Sequence, residues 1–233
     1  MRRVQFGDGA EEVVLILGFG NRPEHDGVQW LIDHLTAADY TVTAFEIPRT
    51  ITDFEAEYLA PVVDYVEALG SYRVVSHSTG GLIARYLDDG GVETRTYLSP
   101  WWGFHDGLDT PLVRFLMKLP LSKPILPASA SRAELGELAT DEWVADAPDY
   151  ASPTFLREAK RAQESIPPFD EDDVVFYNPG DKIVGTDAIE AQSPSANRIQ
   201  FDGGHELFCS RSRADHVDAL LAAVEGGLAA LED

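Results

Sequence analysis

Three residue types at three separated places in this chain, a serine, an aspartate and a histidine, could together perform acyl transfer. A serine hydroxyl is a weak nucleophile until a base takes its proton, a third group orients the base, and donors meet the developing oxyanion. The segment Val74–Ala84 reads VVSHSTGGLIA. A β-branched run ends at Ser76, Ser78 sits in a turn of small residues, and helix-like spacing starts at Gly81-Leu82-Ile83-Ala84. That is the strand–turn–helix setting of a nucleophile elbow, a sharp turn that holds a serine above the end of a sheet. Residues two positions either side of such a serine crowd its backbone, so they must be small. Gly80 and Gly81 meet this need, and Ser76 stands where glycine is usual.

The other two groups follow strand-like runs. Val174–Phe176 leads into Tyr177-Asn178-Pro179-Gly180-Asp181, which puts a carboxylate just past a strand end. Phe201-Asp202-Gly203-Gly204-His205 puts a histidine in a glycine-rich loop. Asp202 and Asp187 compete with Asp181 for the acid. Asp202, three residues before the histidine, reads as part of its turn, and Asp187 as the start of the next helix. His25 and His34 fall in the first helical region, His216 in the last, and His77 at a variable elbow position. Near the N-terminus, Val13–Leu17 runs into Gly18-Phe19-Gly20, a loop able to present a backbone N–H to the same site.

The elbow and the chain order Ser78, Asp181, His205 resemble the α/β-hydrolase fold serine hydrolases, over Val13 to Leu231. The resemblance implies Ser78 as nucleophile, Asp181 as orienting acid and His205 as general base. It implies oxyanion donors from the backbone N–H groups of Phe19 and Thr79, and hydrolysis of small-molecule carboxylic esters through an acyl-enzyme without a cofactor. Leu17-Gly18 replaces the His-Gly that the family often carries. The same triad also serves thioesterases, amidases and acyltransferases, and a non-catalytic binding protein on this fold is the alternative of another class.

The elements that position these residues alternate along the chain. Strands are predicted at Arg2–Phe6, Val13–Leu17, Tyr40–Phe45, Arg73–Ser76, Thr94–Leu98, Val174–Tyr177 and Asn197–Phe201. Helical spacing covers Asp26–Ala38, Asp53–Leu69 with a bend or split at Pro61, Leu82–Leu87 and Val217–Leu231. This predicts a mostly parallel central sheet with helices on both faces. Residues 1–99 and 171–233 form the expected core. Residues 100–170, rich in proline and tryptophan, interrupt the alternation, with helical pieces at Leu112–Lys118, Arg132–Leu138 and Thr154–Gln163. They read as a cap inserted before the catalytic acid, with Trp101, Trp102 and His105 as candidate pocket residues.

The bulk numbers narrow the classes. A chain of 233 residues with 44% hydrophobic content fits one packed domain. It lacks the run of about 18 apolar residues that a membrane-spanning helix needs, and Met1–Asp8 lacks the pattern of a signal peptide. The lone Cys209 excludes an internal disulfide and reads as a small buried hydrophobe. Together these predict a cytoplasmic protein. The segment from His205 to Cys209 lacks the second histidine of a helical zinc motif, and no phosphate loop or GxGxxG occurs, so neither metal nor nucleotide is implied. Forty acidic residues oppose eighteen basic ones, a formal charge of −22, and the only lysines are Lys118, Lys123, Lys160 and Lys182. The acids run from Asp8 through Asp88, Asp89 and Glu142 to Asp233. This disfavours nucleic-acid binding, which needs clustered cations, and resembles proteins of salt-accumulating microbes.

Overall fold

The computed structural model describes residues 1–87, 90–105 and 110–231; Asp88, Asp89 and Asp233 of the acidic series lie outside the described residues, as do residues 106–109 of the proposed cap. The strands are β1 (Arg2–Phe6), β2 (Glu11–Ile16), β3 (Tyr40–Glu46), β4 (Tyr72–His77), β5 (Val92–Leu98), β6 (Leu126–Pro127), β7 (Tyr150–Ala151), β8 (Val174–Tyr177) and β9 (Arg198–Gln200). Seven of them form one sheet in the order β1-β3-β2-β4-β5-β8-β9, while β6 and β7 pair separately. Only β1 runs antiparallel within the large sheet.

The helices are α1 (Asp26–Ala37), α2 (Ala60–Val66), α3 (Thr79–Ala84), α4 (Pro111–Leu116), α5 (Arg132–Leu135), α6 (Asp141–Asp146), α7 (Pro153–Glu164), α8 (Thr186–Gln192) and α9 (Val217–Gly226). Side chains alternate across a strand, and β2 shows the consequence. Val13 and Leu15 join the apolar cluster under α1 and α9, while Val14 and Ile16 join the one under α2 and α3. Both faces of the sheet are therefore covered, which is why β4 is buried along its whole length.

The second helix and the last are shorter than their periodicity predicts. Pro61 has no N–H to donate, and ahead of it the chain widens into a π-turn at Glu55–Leu59 before α2 begins. The last helix stops at Gly227, whose φ is 62° and whose missing Cβ leaves room for the Asp172 carbonyl, 2.5 Å from where that Cβ would lie.

Between β5 and β8 the described chain holds α4, β6, α5, α6, β7 and α7, with β6 and β7 pairing antiparallel across the helices between them. Phe155, Leu156, Ala159 and Ala162 of α7 are buried in the core cluster that includes α3. Asp146, at the end of α6, meets Arg22 at 3.0 Å, His25 at 3.2 Å and Arg49 at 3.5 Å. This ties the segment to the loops that follow β2 and β3.

Much of the limited positive charge is committed to such pairs. Arg2 meets Glu24 and Glu46, Arg73 meets Glu11 and Glu93, and Arg132 meets Asp141. The surplus of 40 − 18 = 22 acids still leaves strong self-repulsion. The screening length falls from about 30 Å at 0.01 M salt to about 3 Å at 1 M. The melting temperature should therefore rise by about 5 °C or more between dilute buffer and molar KCl. A flat or falling curve in differential scanning fluorimetry would show that repulsion does not limit stability.

Candidate active site

β4 delivers His77 to the C-terminal edge of the sheet, and the chain turns sharply there. Ser78 has φ 52° and ψ −118°, a conformation costly for a residue with a Cβ. The Ser78 N–H donates to the Leu98 carbonyl at 3.1 Å, and its own carbonyl accepts from Gly81 and Trp101, both at 2.9 Å. These bonds hold the strained turn. Gly80 is required by contact: a Cβ there would lie 2.1 Å from the Ile16 carbonyl oxygen. Ser76 fits, fully buried, in the usual glycine position.

Asp181 follows β8 in a turn closed by its N–H on the Asn178 carbonyl. Its Oδ1 accepts from the N–H groups of Ile183 at 2.7 Å and Val184 at 3.3 Å. Its Oδ2 lies 2.6 Å from His205 Nδ1. Burial alone would raise the Asp181 pKa, but the neighbouring histidine and the two backbone donors hold it below the ordinary carboxylate value. For His205, burial pushes the pKa down, yet the Asp181 charge and hydrogen bond, helped by the Glu206 charge, carry it above 6.5. Of the three carboxylates considered, Asp181 is the one bonded to His205. Asp202 is exposed, and Asp187 lies in α8.

The histidine loop is held from the side by α5. His205 N–H donates to the Glu134 carbonyl at 2.7 Å and Glu206 N–H to that of Leu135 at 2.8 Å. His205 Nε2 is buried without a hydrogen-bond partner among the described residues. It and Ser78 line one cavity. No bond joins Ser78 Oγ to Nε2 in this structure; catalytic bonds of this kind often tighten only with substrate bound.

Beyond β2, Gly18–Asn21 forms a turn closed by Asn21 N–H on the Gly18 carbonyl at 3.1 Å. Phe19 stacks on Phe155, ring centres 4.6 Å apart. Among the described residues no turn or loop carbonyl accepts from the N–H groups of Phe19 and Thr79, and both residues line the cavity. The cavity has a volume of about 240 Å³ and a mainly apolar wall that includes Trp101, Leu135, Phe155, Leu156 and Ile183.

Of the three candidate pocket residues Trp101 lies in this wall, and Trp102 and His105 do not. Trp102 turns toward the core, where its Nε1–H donates to the Gly81 carbonyl and its ring packs on Tyr97, Phe169 and the Arg85 guanidinium.

Sequence reasoning sets His77 aside as a variable elbow position and passes over Asn21 and Glu206, all of which lie in the wall. Nothing in their local pattern marks them, since they meet only through the fold. Cys209 is buried, and burial together with the Glu206 charge pushes its thiol well up, which keeps it protonated. Among the described residues no cluster of His, Cys, Asp and Glu is placed to hold a metal ion, and no helix is long and apolar enough to cross a membrane.

No family model and no curated protein matches this sequence. Solved structures do. The chain is similar to a monoacylglycerol lipase from Paleococcus ferrophilus, with TM-score 0.73, 19% identity and 98% of both chains covered. It is similar to a soluble variant of monoglyceride lipase from Saccharomyces cerevisiae in complex with a substrate analogue, with TM-score 0.70, 16% identity and 94% and 90% covered. An esterase from Exiguobacterium antarcticum gives TM-score 0.67, 14% identity and 96% and 95% covered. With this sheet order and these matches, the chain has the α/β-hydrolase fold.

Proposed function

We propose that this protein is a serine hydrolase of carboxylic esters. The observation that carries the reading is the 2.6 Å contact of a buried His205 with Asp181, beside a strained Ser78 that opens on the same cavity. In this reading Ser78 Oγ attacks the ester carbonyl while His205 Nε2 takes its proton. Asp181 holds the Nδ1–H and stabilises the imidazolium. The Phe19 and Thr79 N–H groups receive the oxyanion, each donor worth about 3–4 kcal/mol in the transition state. As the tetrahedral intermediate collapses, His205 returns the proton to the departing alkoxide. Water then attacks the acyl-enzyme, giving its proton to His205, and the acid is released as Ser78 regains its hydrogen. The lipases and esterases of the same fold support this reaction class, and the apolar cavity suits an acyl chain.

In the same reading residues 100–170 act as a cap that shapes the acyl site, with Trp101 as part of its wall. The acidic surface fits a protein made for a salt-rich cell interior. A panel of p-nitrophenyl esters of graded acyl length, assayed at low and high salt, tests both the reaction and the environment. Activity on none of them would overturn the ester reading. Trp101→Leu should enlarge the cavity, and the ratio of kcat/KM for long over short acyl esters should rise about tenfold. An unchanged ratio in a folded variant would take Trp101 out of the acyl site.

A further inference from the structure

Behind the Ser78–His205–Asp181 group lies a second buried carboxylate, Glu206, which the proposed mechanism does not use. Asn21 Nδ2 donates to Glu206 Oε1 at 2.9 Å. An amide that donates from its nitrogen offers only its oxygen to the other side, and Asn21 Oδ1 lies 2.9 Å from His77 Nδ1. His77 therefore carries its proton on Nδ1. All three side chains are buried, with 4%, 1% and 2% exposure for Asn21, His77 and Glu206. One asparagine thus joins the loop of His205, the end of β4 just before Ser78, and the turn that carries Phe19.

The packing leaves that turn no slack. A Cβ on Gly18 would lie 2.7 Å from His77 Nδ1, 2.8 Å from Asn21 Oδ1 and 2.9 Å from Ser78 Cβ. Where Phe19 N–H stands relative to Ser78 is thus set by what holds Asn21. A buried carboxylate is a costly way to fill such a space, and an apolar side chain would pack there more cheaply. What a carboxylate supplies is a charge-assisted hydrogen bond, shorter and stronger than a neutral one.

We propose that Glu206 is a positioning residue: through Asn21 its ionised carboxylate holds the Gly18–Asn21 turn, and with it the Phe19 N–H, in register with Ser78. The proposal rests on the serine-hydrolase reading. The titratable groups that face Glu206 are His205 and, behind it, Asp181, together with Cys209 from its own loop and His77 beyond Asn21. Glu134 and Lys182 stand elsewhere on the cavity wall. Burial raises the Glu206 pKa most, Asn21 and His205 oppose it, and the result is about 7. Its charge therefore appears as pH rises through about 7, and His205, held above its ordinary value, becomes neutral in the same direction.

The sign for stability is opposite to the sign for activity. The folded-state value lies above the ordinary 4.5, so the stability contribution of Glu206 is full below that value and is lost as pH rises through about 7. Above pH 7 the charge weakens the fold while it tightens the turn. Glu206→Gln keeps the acceptor for Asn21 and removes the charge. At pH 8 this variant should melt no lower than the parent, yet its kcat should fall about tenfold, the order of a lost charge-assisted bond, with KM changed less than about twofold. Its acid limb should move to lower pH, because His205 loses a stabilising neighbour, and should show one ionisation where the parent shows two.

Asn21→Ala, which breaks the same link from the side of the Gly18–Asn21 turn, should lose activity to a similar degree. The double variant should be little worse than either single one. Labelling of Ser78 by a fluorophosphonate should persist in all of them at a reduced rate. Glu206→Gln with parental kcat and pH profile, or losses that multiply in the double variant, would overturn the relay alone. A parent protein that is neither labelled nor active would overturn the serine-hydrolase reading, and the relay with it.

Discussion

Ser78→Ala should leave a folded protein that a fluorophosphonate probe no longer labels and whose ester hydrolysis has dropped by about 10⁴-fold or more. The loss is this large because Ser78 is the residue of the strained turn that opens on the cavity shared with His205, while the thiol of Cys209 is buried and held protonated. Stability should not suffer, since the Ser78 hydroxyl caps nothing in α3 and the backbone bonds of the turn are unaffected. Mass spectrometry of the labelled parent protein should place the adduct on the peptide containing Ser78. Labelling that survives in Ser78→Ala would put the nucleophile elsewhere and remove the acyl-enzyme assignment.

The second large effect concerns the base and its partner. Asp181→Asn should lower kcat by about 10⁴-fold, because an amide at this place can stabilise the imidazole tautomer with its proton on Nε2, where a lone pair is needed. His205→Ala should lose a comparable amount, and Ser78→Ala combined with His205→Ala should be little worse than either alone. The pH profile follows from the pair. His205 must be neutral to accept the serine proton, and its pKa is raised above 6.5 by Asp181 and Glu206 against the pull of burial. Acylation should therefore fall as pH drops, with a midpoint above 6.5. An acid limb centred below that value, or multiplicative losses in the double variant, would mean that Ser78 and His205 do not act as a unit.

What the sequence by itself determined is what depends on neighbours along the chain. The continuous apolar run at Val13–Leu17 and the β-branched run at Arg73–Ser76 specify buried strands whatever surrounds them, and all seven strands of the large sheet lie where the sequence patterns fall. The small residues at Gly80 and Gly81 mark the turn at Ser78, because a tight turn imposes its steric demand within a few residues. The sequence favours Asp181 over Asp187 and Asp202, but the contact itself depends on tertiary structure: the pairing of β8 with β9 brings Asp181 to 2.6 Å from His205. It also decided that Trp101 faces the cavity while Trp102 faces the core, since that choice depends on how the chain leaves β5. The Asn21–Glu206 contact spans 185 positions of sequence. No local pattern encodes such a bond, because its energy comes from burial that exists only after the sheet has assembled.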